Sequence, residues 1–206
     1  MENISYDFAV TNIKASIKLP QEVSLDFAIE RCRELGQNNN LYYRRKKANI
    51  LTIRYNNSTF VLFKRGTRKT EDGNFPQQHC NVTRCRTLEE LSTAIADLFY
   101  LLKLPPTFSN YTIDNFSCLA DIHRTIDLES LFLHEPDIKC SLQEGNFPCL
   151  TVHSSPVFTT ALNQRCHIYK SGRFILVGGR ILQEVKDFFL WILDRSKPYI
   201  SNVVRL

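Results

Sequence analysis

The stretch Val61-Leu62-Phe63-Lys64-Arg65-Gly66 has a degenerate copy later in the chain, His167-Ile168-Tyr169-Lys170-Ser171-Gly172. A second pair, Val10-Thr11-Asn12-Ile13 and Ile113-Asp114-Asn115-Phe116, recurs with nearly the same offset. In the first pair, an apolar and aromatic run ends at a lysine and a glycine, which is typical of a strand that leads into a turn. The two motifs come in the same order in each half, so the sequence predicts a tandem duplication.

The secondary structure predicted around these motifs also repeats: each half reads as a strand, a helix, several strands and a final helix. Leu104-Pro105-Pro106 interrupts the pattern and separates the halves. We therefore predict a first repeat over 5–104 with an insertion at about 67–78, a second repeat over 107–197, and a C-terminal tail over 198–206. Helices are expected over 21–35, 87–104, 127–132 and 180–197, and strands over 6–18, 50–55, 59–63, 80–83, 111–122, 150–152, 166–169 and 174–177.

Composition narrows the class of protein. The 206 residues are 43% hydrophobic and 23% charged, which suits one domain or two small repeats with a real core. No apolar run approaches the roughly 20 residues of a membrane span, and no basic segment followed by an apolar run opens the chain. The seven cysteines lack zinc-site spacing, so we expect buried thiols in an intracellular protein.

Positive charge is concentrated in one segment. The chain has 26 Lys and Arg against 21 Asp and Glu, but residues 41–70 contain no acidic residue. One interpretation is an edge strand that lysine and arginine protect against aggregation. The other is the electrostatic footprint of a nucleic-acid-binding protein.

The sequence contains no recognisable enzyme motif. Metal-protease, nucleophile-elbow, phosphate-loop and dinucleotide patterns are all absent. Cys166 and His167 are adjacent on a predicted strand, so their side chains point to opposite faces and cannot form a nucleophile and base pair. We expect a protein that is not an enzyme and that has no cofactor, no metal site, no small-molecule substrate and no membrane partner.

The paired asparagines, the sequence Phe147-Pro148, the run Ile168 to Arg173 and the sequence Leu176-Val177-Gly178 together resemble the TATA-box-binding protein family. The resemblance covers about residues 5–197. It implies an α+β saddle, in which two tandem repeats form a curved antiparallel sheet with four helices on the convex face. Members of this family bind the DNA minor groove and kink the duplex with inserted phenylalanines, and they are a type example of that mode.

The resemblance also implies a set of DNA-binding residues. The asparagines would donate to acceptors on the minor-groove floor and favour A·T pairs, or else they only cap a strand end or a bulge. The aromatic residues would be wedges, or else they pack in the core. The set comprises Asn12, Arg54, Phe63, Thr83, Asn115, Phe147, Tyr169 and Arg173.

Several positions depart from the family pattern. Ala48 stands where a wedge is expected, Val177 replaces a central threonine, and His153 replaces an arginine. The helix that starts at Thr87 is acidic where the family is basic, and Gly145-Asn146 stand immediately before Phe147, where the family loop carries an acidic residue read by transcription factor IIB. Two functions stay open on this basis. One is a divergent nuclear TATA-box-binding-like protein that binds A·T-rich DNA and assembles general transcription factors into a specialised initiation complex. The other is an adaptor with the same fold that has lost DNA binding and docks proteins.

Overall fold

The computed structural model describes residues 4–36, 41–66, 71, 74, 76–105, 111–135, 139–143, 148–154 and 164–204. The described strand pairs are antiparallel, and four α-helices accompany them in these ranges. The α+β class predicted from the sequence is therefore confirmed. The chain divides into two compact units. We call Asn12–Asp114 the first-repeat unit, and Met1–Thr11 together with Asn115–Leu206 the second-repeat unit.

The first-repeat unit carries five strands in the order β2-β3-β4-β5-β1, with two helices. The long first strand starts in the second-repeat unit and continues into this one. The elements are β1 (Asp7–Lys18), α1 (Leu25–Gly36), β2 (Tyr42–Lys47), β3 (Ile50–Tyr55), β4 (Ser58–Phe63), β5 (His79–Cys85) and α2 (Leu88–Leu101).

Alternating side chains build the core of this unit. Leu51, Ile53, Phe60 and Leu62 are fully buried, and their neighbours along β3 and β4 point to the opposite face of the sheet. The helices cover the buried face, since α2 contacts both β5 and α1. Leu91 and Leu98 of α2 are fully buried as predicted from helical spacing.

Both helices of the first-repeat unit begin at a side-chain cap. The Thr87 hydroxyl accepts a hydrogen bond from the Glu90 N–H at 3.0 Å, which is the cap predicted from the sequence. The Glu90 carboxylate accepts from the N–H of Arg86 at 2.6 Å. Helix α1 starts later than predicted because the Ser24 hydroxyl accepts from the Phe27 N–H at 3.0 Å, which caps the helix at Ser24 and not near Gln21.

The second-repeat unit has the same strand arrangement, β6-β11-β10-β9-β8. It adds a two-stranded sheet in which β12 pairs with β7, so the segment predicted as a tail contains a strand. The elements are β6 (Tyr111–Asp121), β7 (Arg124–Ile126), α3 (Leu128–His134), β8 (Cys140–Gln143), β9 (Cys149–His153), β10 (Arg165–Tyr169), β11 (Arg173–Gly179), α4 (Leu182–Ser196), a 3-10 turn (Lys197–Tyr199) and β12 (Ile200–Val204).

Aromatic packing fixes helix α4 on this second sheet. Phe189 is fully buried and its ring contacts Phe174 edge-on, with 5.3 Å between ring centroids. Tyr6 and Phe8, from the start of the chain, contact the same ring at 5.0 Å and 5.7 Å. Val185 is also fully buried, which confirms the apolar face predicted for this helix.

The cysteines behave as the sequence predicts. All seven are free thiols; six are buried and Cys140 is half-buried. Burial raises the pKa of Cys32 and of Cys118 to about 11, which keeps both protonated near neutral pH. None of the described helices is long and apolar enough to cross a bilayer. Within the described ranges, no cluster of three or more His, Cys, Asp or Glu side chains could hold a metal ion.

Candidate nucleic-acid interface

In each unit, the described helices pack on one face of the sheet; we call the opposite face the helix-free face. In the first-repeat unit the strand register aligns its side chains in rows, since residues directly opposite in antiparallel strands share a face. One row runs from Tyr42 through Arg54 and Thr59 to Thr83, and the next runs from Arg44 through Thr52 and Val61 to Asn81 and Ser16. Lys14, Lys18 and Phe63 lie on the same face by alternation.

Arg54 is exposed on this helix-free face, and its guanidinium carbon lies 6.0 Å from the centre of the Tyr42 ring. Such a contact orients the guanidinium and leaves its N–H donors able to bind an anion. Arg44 is on the neighbouring row of the edge strand β2. The basic segment predicted from the sequence therefore supplies two arginines to the helix-free face of this unit.

Phe63 is half-buried at the last position of β4, so its ring is outside the packed core. The side chain of Gln78, which is only 4% exposed, fixes this end of the strand. Its amide donates to the carbonyl oxygens of Phe63 at 2.8 Å and Val23 at 2.9 Å, and its oxygen accepts from the Val23 N–H at 2.7 Å. A cavity of about 430 Å³, lined in part by Phe63, His79 and Asn81, opens beside the ring.

Asn12 closes a bulge between β1 and β5. Its Oδ1 accepts a hydrogen bond from the Arg84 N–H at 2.6 Å, at a point where the strand register shifts between Ile13 and Ala15. Arg84 has a φ of 75°, in the left-handed region. Because the oxygen is engaged, the free side of the Asn12 amide is its NH₂ group, a donor. Thr83 is half-buried next to this bulge, opposite Thr59.

Asn115 repeats this geometry in the second-repeat unit. Its Oδ1 accepts from the Gly178 N–H at 2.6 Å, where the β6–β11 register shifts between Leu176 and Gly179. Gly178 has a φ of 96°. The Asn115 NH₂ group lies 3.4 Å from the Ser117 hydroxyl. The bulge interpretation of the two asparagines is thus present in the structure. It commits the oxygen of each amide, and in Asn115 one N–H of the amino group also donates to Ser117.

Tyr169 is half-buried at the end of β10, the position in the second-repeat unit that Phe63 has in the first. A tight turn follows, in which the Gly172 N–H donates to the Tyr169 carbonyl at 2.8 Å. Gly172 has a φ of 78°, and a Cβ there would lie 1.9 Å from the Arg124 carbonyl oxygen, so only glycine fits. Beyond the turn Arg173 is exposed, and its Nε donates to Asp121 Oδ2 at 3.1 Å.

Two histidines occupy the middle of the second helix-free face. His167 Nδ1 is 2.9 Å from the Thr151 hydroxyl, and His153 lies opposite Arg165. Burial, and then the charge of Arg165, lower the pKa of both imidazoles below the ordinary value of 6.5; Lys139 lowers that of His153 further. Both side chains are therefore neutral near pH 7, and His153 provides no permanent charge for a phosphate.

Several positions singled out in the sequence either lie outside the described residues or have side chains unlike those of the family. Phe147 and the neighbouring Gly145-Asn146 lie outside the described residues. Ala48 is exposed just after β2 and has no ring to insert. Val177, opposite Arg165, presents an aliphatic side chain where a second central threonine was expected.

Sequence reasoning missed two residues that matter for the face. Gln78 holds the strand end that carries Phe63, but a single glutamine in a polar segment gives no signal of burial. Asp114 lies in one of the repeat motifs, but the motif gives no sign that its carboxylate is part of this face. Its carboxylate accepts from the Ser16 hydroxyl at 2.6 Å and lies 3.8 Å from the Lys14 amino group.

Comparison with solved structures identifies the fold. TBP from Methanococcus jannaschii is similar over 93% of this chain and 99% of its own, with a TM-score of 0.68 and 18% sequence identity. A rolling-circle replication initiator from Geobacillus stearothermophilus matches over 98% of this chain and 88% of its own, with a TM-score of 0.46 and 11% identity. No protein-family model and no curated sequence matches the chain. The chain thus has the TATA-box-binding protein fold that the sequence motifs predict.

Proposed function

We propose that this chain, built on the TATA-box-binding protein fold, is a divergent relative that binds DNA through the minor groove and nucleates a specialised transcription initiation complex. Its partners would be A·T-rich DNA and general transcription factors, and its place of action would be the nucleus. In this proposal the protein is a binding module and not an enzyme. A fold alone does not determine a function, and the side chains of the helix-free faces are what support this one.

The two asparagine amides are the observation that carries the proposal. Asn12 and Asn115 each commit Oδ1 to a backbone N–H of a bulge, so the groups that each amide still offers are N–H donors, one of which in Asn115 binds Ser117. The minor groove of an A·T pair offers only acceptors, adenine N3 and thymine O2. Donors without a competing acceptor are the group that such a surface binds, and the same arrangement occurs in both units.

Other side chains of the helix-free faces support DNA as the ligand. Phe63 and Tyr169 are half-buried at matching strand ends, where a ring can reach a base step without leaving a hole in the core. Arg54, Arg44 and Lys18 give the first-repeat unit a positive helix-free face that can contact phosphates. Because Ala48 cannot wedge, we expect the second repeat to contribute more of the bend.

The experiment is a gel-shift titration with salt on A·T-rich and G·C-rich duplexes, combined with energy-transfer measurements of bending on end-labelled DNA. Arg54→Ala should reduce the slope of log affinity against log salt by about one unit, since one phosphate contact is lost. Tyr169→Ala should reduce bending more than Phe63→Ala. Thr93→Ala, on the exposed surface of α2, is the matched control and should change neither quantity.

The adaptor function is a second candidate, and specific observations favour it. Asp114 places a carboxylate on the first helix-free face, Asp121 pairs with Arg173 on the second, and His153 is neutral. Each of these weakens attraction to a polyanion. If the wild-type protein shows neither bending nor salt-dependent binding at low ionic strength, the DNA function is wrong and a protein segment is the ligand to seek.

A further inference from the structure

Asp114 is an acidic residue on a surface otherwise rich in positive charge and amide donors. Its carboxylate belongs to the helix-free face because it binds Ser16, which alternates along β1 with the buried Ala15 and Ile17. Ser16 also lies opposite Asn81, another residue of that face. The side chain of Asp114 is 29% exposed, so it is accessible from the face without being freely solvated.

The two oxygens of this carboxylate differ in their surroundings. Oδ2 accepts from the Ser16 hydroxyl at 2.6 Å and is 3.8 Å from Lys14 Nζ, which fixes the orientation of the group. Oδ1 has no hydrogen-bond partner among the described residues. A carboxylate has acceptors only, so the open position on Oδ1 can be filled only by a donor.

The minor groove has one such donor. Adenine N3 and thymine O2 are both acceptors and would repel a carboxylate, whereas the guanine N2 amino group is the only base-edge donor in this groove. We propose that Asp114 is a specificity-determining residue that accepts a hydrogen bond from a guanine N2 amino group at one position of the bound DNA. This inference rests on the proposed minor-groove function and refines it: Asn12 and Asn115 favour A·T pairs, and Asp114 requires an amino group at a single base pair among them.

The test adds and removes that amino group while leaving the major-groove edge of the base pair unchanged. In an A·T-rich duplex, 2,6-diaminopurine replaces adenine at one position at a time, which adds the N2 amino group to an A·T pair. In a duplex with guanine at the preferred position, inosine removes the group. Binding of the wild-type protein is measured by fluorescence anisotropy at fixed low salt.

We expect one position at which diaminopurine strengthens wild-type binding about tenfold and inosine weakens it by a similar factor, the effect of one hydrogen bond to a charged group. Asp114→Asn should lose this preference, since its amide can also donate to the acceptors of an A·T pair. Glu89→Gln, the same change in charge on the exposed surface of α2, should keep it. Thermal unfolding of each variant verifies that it is folded.

The outcomes separate the two proposals. If the wild-type protein binds DNA with a normal salt dependence but no position responds to diaminopurine or inosine, the assignment of Asp114 is wrong while the DNA function stands. A response that Asp114→Asn retains also overturns the assignment. If no duplex is bound in a salt-dependent way, the proposed function itself fails.

Discussion

Asn12 and Asn115 each have two roles in one amide group: the oxygen accepts a structural hydrogen bond, and the amino group is a donor. Their oxygens bind the N–H groups of Arg84 and Gly178, where the backbone has positive φ. Replacement by alanine should lower the free energy of unfolding by about 1 kcal/mol at either site, since one hydrogen bond is lost. Replacement by aspartate keeps the acceptor and should preserve stability, yet it removes the donors.

Urea unfolding and DNA binding should therefore separate in these variants. Asn12→Asp should unfold like the wild-type protein and bind A·T-rich DNA poorly, whereas Asn12→Ala should be impaired in both measurements. If Asn12→Asp binds as tightly as the wild-type protein, the amide donors are not used on DNA.

The sequence predicted these asparagines from their matched setting, but it could not predict the backbone partner of the asparagine in the first repeat. An arginine such as Arg84 gives no sign of positive φ, whereas Gly178 does.

Helix α2 shows which features of a secondary-structure element can be predicted well from the sequence. The cap at Thr87 and the apolar spacing predicted both its start and its buried face, because each depends on residues close in the chain. Leu98 is fully buried, so Leu98→Ala should destabilise the protein by about 2 to 5 kcal/mol. Thr93→Ala on the exposed side should cost under about 0.5 kcal/mol, and equal losses in thermal unfolding would contradict this packing.

The strands at the edges of the sheets were not predicted, and β2 shows why. Its sequence Tyr-Tyr-Arg-Arg-Lys-Lys has no alternation of apolar and polar residues, since an edge strand with mostly exposed side chains needs none. Strands β7, β8 and β12 have only three to five residues each, so an alternation of apolar and polar residues extends over too few positions to be recognised. The basic character of residues 41–70 was visible in the sequence, but its placement on an edge strand required the fold.

For the whole molecule, the two neutral histidines predict how stability depends on pH. His153 and His167 have a pKa below 6.5 in the folded protein, whereas both return to about 6.5 on unfolding. The unfolded chain therefore binds more protons as the pH falls through 6.5, and the folded state loses stability there. We expect the free energy of unfolding to decline from pH 7 towards pH 5, and to decline again above about pH 8, where the buried cysteines ionise on unfolding.

A double variant, His153→Gln with His167→Gln, should flatten the decline below pH 7 in urea titrations at each pH. A decline of unchanged steepness would show that other groups cause it. Asp127 and Asp194 have a pKa below 3.8 in the folded protein through hydrogen bonds from Ser130 and Lys197, so their contributions disappear only at lower pH. The change in the free energy of unfolding between pH 7 and pH 5 is therefore caused mainly by the histidines.

The two repeats of the sequence do not have the same boundaries as the two compact units of the structure. The first residues of β1 belong to the first repeat in the sequence but pack in the second-repeat unit. A polypeptide of residues 107–206 would lack the rings of Tyr6 and Phe8, whose centroids lie 5.0 Å and 5.7 Å from that of Phe189 in the whole chain. We expect that piece to be poorly ordered alone and to gain helicity by circular dichroism when a synthetic peptide of residues 4–18 is added. A peptide with Tyr6→Ala and Phe8→Ala should have little effect. The chain would then act as a split protein, whose reassembly reports the presence of its own missing strand.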